Sequence, residues 1–309
     1  MYKVITFICC FLISTMSYAK DAEYCSIVRF AEAGSTDNSV TTSMISVILE
    51  EVLSYKTNIK LLALPVILKS LKIKGIDVYT GYWSPSNDQL VLPYVMDGSV
   101  QIVSENLRGA KYMLAVNDIG FQIGIKSYQD IARYKKELKG KIYGIDPGHS
   151  GNQRILDMIE HDKFSLKDFR LVESSEHAMF YQVKRNQQQN MPIVFLSWDP
   201  HPINFEMKLH YLSGGEEISG FGEASVHTIV SAGYMEKCPN IGRLLKNIKF
   251  SLAMESEMME KILKNKEDPK LVGRNFLRAN PRILKEWLIG VTNFDGKHPD
   301  QEFEKFVRN

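Results

Sequence analysis

Short runs of β-branched and apolar residues alternate with stretches of helical periodicity through most of the chain, and this alternation constrains the fold more than any other feature. It is the pattern of an α/β protein with largely parallel sheets. The predicted strands are Ser26–Phe30, Ile59–Leu64, Ile76–Tyr82, Lys141–Ile145, Phe169–Val172 and Ile193–Leu196. Between them, Thr41–Leu53 puts Met44, Val47, Ile48 and Val52 on one helical face, with Thr36 and Asp37 ahead of it as capping oxygens. Pro65 opens the next helix. The strand ending at Ile145 runs through the turn-forming Asp146-Pro147-Gly148-His149-Ser150-Gly151 into a helix from about Asn152 to Glu160, and Ser174 caps a further one. From Cys238 the pattern is helical, ending in Leu271–Ile289, where Val272, Phe276, Leu284 and Leu288 form a stripe broken at Asn280-Pro281. No Pro/Ser-rich linker marks a cut between domains.

The first 19 residues read differently. A basic Lys3, an apolar run from Val4 to Met16 and small residues at Ser17 and Ala19 have the anatomy of a cleavable signal peptide. The run is shorter than the roughly 20 residues a membrane-spanning helix needs. The expectation is an exported, periplasmic protein cleaved near Ala19. Cleavage removes Cys9 and Cys10 and leaves Cys25 and Cys238, an even pair in an oxidising compartment, which predicts one disulfide. Closing a loop of roughly 200 residues, it is worth about 5 kcal/mol in the chain-entropy model.

Several functions find no support in the residues. A net charge of +2 with both signs interspersed leaves no footprint for nucleic acid. There is no phosphate-binding Gly-rich loop, no dinucleotide fingerprint and no H-E-x-x-H among the seven histidines, so neither a cofactor nor a metal is expected. Gly148-His149-Ser150-Gly151-Asn152 approaches the Ser-containing elbow of an α/β hydrolase, with His201 or His227 as base. Asn152 stands where that turn requires glycine, and hydrolysis by Ser150 is the alternative reading.

Aromatic residues at strand ends remain. Trp83 is followed by Ser84-Pro85 and Trp198 by Asp199-Pro200, so each ring leaves the sheet as the chain turns. Ligands of open α/β sheets bind beyond the carboxyl ends of the strands. A lone Trp there is most simply partial core, but two Trp-x-Pro turns among three tryptophans favour a pocket. Trp287, on the late amphipathic helix, reads as core.

In these stretches the chain resembles the choline and glycine-betaine binding proteins of ABC importers, most of all the choline-binding members. The resemblance is carried by Val28-Arg29-Phe30, Ser35-Thr36-Asp37, Gly81-Tyr82-Trp83-Ser84-Pro85, Pro93-Tyr94, Asp97-Gly98-Ser99-Val100, Asn106 through Tyr112, Gly144 through Gly148 with Gly151-Asn152, and Trp198-Asp199-Pro200-His201-Pro202, in the family's order. It implies a two-lobed periplasmic-binding-protein fold of type II, with a discontinuous first lobe (20–114 plus 213–309) around a second (115–212). It also implies a monomeric, non-enzymatic protein that clamps a small methylated ammonium ligand between the lobes and passes it to a membrane permease. Trp83, Tyr112 and Trp198 match positions of the family's aromatic box and Asp37 its acidic position. Ser35 and His149 stand where the choline binders are expected to carry Trp and Asn. The chemistry suits the ligand, because a quaternary ammonium has no N–H to donate and is held by ring faces.

Overall fold

The computed structural model describes residues 21–308, so the expected signal peptide, Met1–Ala19, lies outside the described residues. The strands are β1 (Ile27–Glu32), β2 (Lys56–Leu61), β3 (Val78–Ser84), β4 (Val100–Asn117), β5 (Lys141–Tyr143), β6 (Arg170–Val172), β7 (Val194–Asp199), β8 (Leu209–Tyr211) and β9 (Gly222–Ser231). They form one hydrogen-bonded path, β2-β1-β3-β9-β4-β7-β5-β6, with β8 also paired to β4.

The ends of this path are parallel, as the alternating pattern implies: β1 with β2 and β3, and β5 with β6 and β7. The middle is not. β4 and β9 run antiparallel to each other, and β3, β7 and β8 run antiparallel to whichever of the two they flank. The expectation of largely parallel sheets is corrected here, and the cause is β4. Its register against β9 shifts between Ile102 and Ser104, Glu105 and Leu107, and Leu107 and Ala110. Such bulges bend a strand and break the period-2 pattern, so Glu105-Asn106-Leu107-Arg108-Gly109 does not look like a strand in the sequence. Past the bulges β4 pairs Ala110–Tyr112 with Ala224–Gly222 of β9 and Lys111–Val116 with Asp199–Val194 of β7, so it carries the sheet from one lobe into the other.

The first lobe holds β1, β2, β3, β9 and the start of β4, with the helices Thr36–Val47 and Leu64–Lys72 and those after Cys238. The second holds the end of β4 and β5 to β8, with the helices Ser150–Glu160 and Glu176–Gln188. Three helix starts differ from expectation. Thr36 and Asp37 lie inside the helix Thr36–Val47, behind Ser35, and are not its cap. The later helix starts at Ser150 behind His149. Ser175, not Ser174, caps Glu176–Gln188, its hydroxyl accepting from Ala178 N–H at 3.3 Å. Pro65 sits in the first turn of Leu64–Lys72, and Asn280-Pro281 divides Pro269–Ala279 from Pro281–Trp287, both as proline geometry requires. Trp287 is core, 4% exposed and edge-on to Phe250.

The disulfide is present: Cys25 and Cys238, with Cα atoms 5.8 Å apart, tie the turn before β1 to the start of the helix Pro239–Asn247. Both ends belong to the first lobe.

Candidate functional site

Asn38 fixes the geometry from which the site grows. Its side-chain oxygen accepts Ala33 N–H at 2.9 Å and its amide donates to Thr80 Oγ1 at 2.9 Å, locking the start of the helix Thr36–Val47 onto β3. Trp83, three residues further along β3, then donates from Nε1 to Asp37 Oδ2 at 3.0 Å. Ser35 makes no side-chain capping bond to its own helix, and its hydroxyl lies near enough to the same carboxylate to favour the ionised form. Asp37 is 4% exposed. Burial holds its pKa above the ordinary carboxylate value and the charge of Glu176 adds to this, while the bonds from Ser35 and Trp83 and the Asn38 N–H oppose it.

Tyr112 lies on β4 directly opposite Trp198 on β7, so the two rings share a face of the sheet. The Trp83 ring is 5.8 Å from Tyr112, tilted by 48°. Trp198 is held edge-on by Phe180 and His201, each 5.3 Å away between ring centres. Trp83 and Trp198 leave their strands through cis peptides, Ser84-Pro85 and Asp199-Pro200.

The second lobe adds the loop after β5. Asn152 clamps it, its oxygen accepting Ile145 N–H at 3.0 Å and its amide donating to Ile145 O, Asp146 O and Glu173 Oε1. That clamp is the reason for Asn at the position where a hydrolase elbow needs glycine. On the clamped loop, His149 Nδ1 pairs with the Tyr112 hydroxyl at 2.9 Å and receives Gly151 N–H at 3.5 Å. With donors facing Nδ1, the ring proton sits on Nε2. The ring keeps some surface toward the cavity yet is surrounded by protein, and loss of bulk water pushes its pKa down to about 4, against a smaller upward pull from Glu176. At neutral pH His149 is therefore an uncharged donor.

Ser35, Asp37, Trp83, Tyr112, His149 and Trp198 all line one cavity, completed on the first-lobe side by small residues such as Ala33, Ala63 and Gly81. Ser150 does not work as a hydrolase nucleophile would. Its hydroxyl pairs with Ser86 at 2.7 Å, while His201 bonds Glu176 and His227 bonds Ser225. Among the described residues no group of His, Cys, Asp and Glu could hold a metal ion. Nor is any described helix long and apolar enough to cross a membrane.

Two further residues shape the site without being among its sequence-predicted members. Gly151 lets the Tyr112 hydroxyl approach the start of its helix, where a β-carbon would collide with it. Glu176, buried across the cleft, accepts hydrogen bonds from Thr36. Both are ordinary residues in a turn and a helix start until the lobes meet.

A cavity shut between two α/β lobes, walled by ring faces and a buried carboxylate, defines a solute-binding protein. The chain belongs to the family described as the substrate-binding domain of ABC-type glycine betaine transport systems, whose model matches residues 27–279. It is a transport protein and not an enzyme. It is 47% identical to a solved ABC-transporter choline-binding protein in complex with choline, over 93% of this chain and 100% of that one, with a TM-score of 0.90. To an ABC-transporter choline-binding protein in an unliganded semi-closed conformation it is 48% identical, over 92% and 99% of the two chains, with a TM-score of 0.85. The glycine betaine/carnitine transport binding protein GbuC of Listeria monocytogenes is 26% identical over 161 residues, covering 52% of this chain and 53% of that protein.

Proposed function

We propose that this protein captures a small quaternary ammonium compound, choline before glycine betaine, and delivers it to the permease of an ABC importer. The carrying observation is the convergence of Trp83, Tyr112 and Trp198 on one cavity with Asp37 held against Trp83 by a hydrogen bond. Ring faces attract a cation that cannot donate a hydrogen bond, by about 2 kcal/mol or more per desolvated contact. The neutral Nε2–H of His149 suits an oxygen on the ligand, and Ser35 leaves open a wall that a ring would otherwise fill. In this reading the lobes span 20–114 plus 213–309 and 115–212, Met1–Ala19 is removed on export to the periplasm, and the mature protein is a monomer. The course of β4 from β9 to β7 supports that division.

Titration calorimetry with choline and with its uncharged carbon isostere, 3,3-dimethylbutan-1-ol, tests the reading. The alcohol has nearly the same shape and lacks only the charge. Binding of choline at least a hundredfold tighter is expected. Equal affinity for the two would refute a cation box.

A further inference from the structure

Glu176 opens the helix Glu176–Gln188 on the second lobe and is 4% exposed. Its Oε2 accepts from both the N–H and the hydroxyl of Thr36, at 2.9 and 3.0 Å. Thr36 is the first residue of the first-lobe helix that carries Asp37. On the other side, Glu176 Oε1 lies 3.0 Å from His201 Nε2. His201 Nδ1 accepts Ile203 N–H at 3.1 Å, so the proton of the neutral ring sits on Nε2 and points at the carboxylate. Three donors thus converge on one carboxyl group.

The N–H of Thr36 is one of the orphan donors that begin every α-helix. Ser35, the N-cap residue of this helix, makes no side-chain bond to its own helix start. The Asp37 helix therefore takes its cap from the opposite lobe, and an acidic side chain is also favoured there by the helix dipole. Other contacts cross the cleft, including Ser86 with Ser150 and Gln89 with Arg154 at 2.6 Å. Glu176 acts on Ser35-Thr36-Asp37 itself.

We infer that Glu176 is the residue that couples ligand capture to lobe closure: on closing, it caps the helix that carries Asp37. As the lobes part, the carboxylate leaves Thr36 and the helix start loses its cap. Glutamine cannot replace it, since an amide turned to accept from Thr36 sets its NH2 against His201 N–H, and the reverse orientation sets it against Thr36. The coupling to ligand capture rests on the binding function proposed above. The latch does not.

Spin labels at the exposed positions Lys69 and Lys163, one on each lobe, report the closed fraction by pulsed electron resonance, and stopped-flow gives the rates with choline. In the wild type, saturating choline should give one short distance. Glu176→Gln should retain a longer distance at saturation and release choline at least tenfold faster, with its association rate changed less than threefold. Thr36→Val, which keeps the N–H and loses the hydroxyl, should fall between, and it serves as the test if Glu176→Gln does not fold. Wild-type distances and release rates in folded variants would overturn the inference. If the wild type binds no methylated amine, the function falls and the ligand-free distributions decide the latch alone: a shift of Glu176→Gln toward the longer distance supports it, and identical distributions overturn it.

Discussion

At the scale of single residues, the Asp37–Trp83 pair sets the behaviour of the site. Burial keeps the Asp37 pKa above its usual value, so the ligand-free folded chain holds this proton more tightly than the unfolded chain does. Stability of the ligand-free protein from this group therefore falls as pH rises through the window between the ordinary carboxylate pKa and the raised one. A bound cation reverses the preference by favouring ionised Asp37. The thermal shift produced by choline should accordingly shrink as pH drops through that window, measurable by calorimetric melting at a series of pH values. Trp83→Phe keeps a ring but removes the N–H that opposes the shift, so its loss of affinity should begin at higher pH. Trp83→Ala should cost on the order of 2 kcal/mol, about thirtyfold in Kd. His149 adds no slope of its own near neutrality, since its pKa lies at about 4. Wild-type and His149→Asn proteins should therefore give superimposable pH profiles for choline above roughly pH 5.5, where less than a tenth of such a group is protonated. Ser35→Trp is less simple than adding a ring. It builds a fourth wall, worth about 1–2 kcal/mol toward a compact head, but removes a donor from Asp37 and raises that pKa further.

Among the elements, the helix Ser150–Glu160 decides where Tyr112 stands. Its second residue is Gly151, against which the Tyr112 hydroxyl and Leu196 pack too closely to admit a β-carbon. Gly151→Ala must push Tyr112 or the helix start away, and repacking of this kind typically costs 1–3 kcal/mol. A fall in choline affinity of more than tenfold, with a melting point lowered by only a few degrees, is the expected result in paired binding and melting measurements. The strand β4 has the complementary role. Its bulges turn it from β9 to β7, which places Tyr112 opposite Trp198 and within ring contact of Trp83 from the first lobe.

For the whole molecule, the disulfide and the cleft are independent devices. Cys25 and Cys238 lie within the first lobe, so the bridge restrains the unfolded chain and does not cross the ligand cavity. Reduction should lower the free energy of unfolding by about 2–5 kcal/mol. At temperatures well below the lowered melting point it should leave the Kd for choline unchanged, a comparison that titration of reduced and oxidised protein makes directly. Closure belongs to the other device. Small-angle scattering should give a smaller radius of gyration with saturating choline than without it, and equal radii would argue against a clamp.

The amino-acid sequence by itself determined the parallel ends of the sheet and the bridge, and it singled out residues that line one cavity. Short β-branched runs, an even pair of cysteines and two Trp-x-Pro turns are local signals, and local physics translates them. The resemblance in Ser35-Thr36-Asp37 and around His149 brought together residues that the structure places in one cavity. Only the tertiary structure decided the antiparallel middle of the sheet, because the bulges of β4 disrupt the alternation by which a strand is recognised. It alone decided that Asp37 is buried, that His149 is neutral and that Glu176 caps a helix 140 residues away in sequence. Protonation depends on how much water the surrounding protein displaces, and a cap from another lobe depends on where that lobe comes to rest. Both are set by packing between distant segments, for which Glu176 carries no local mark.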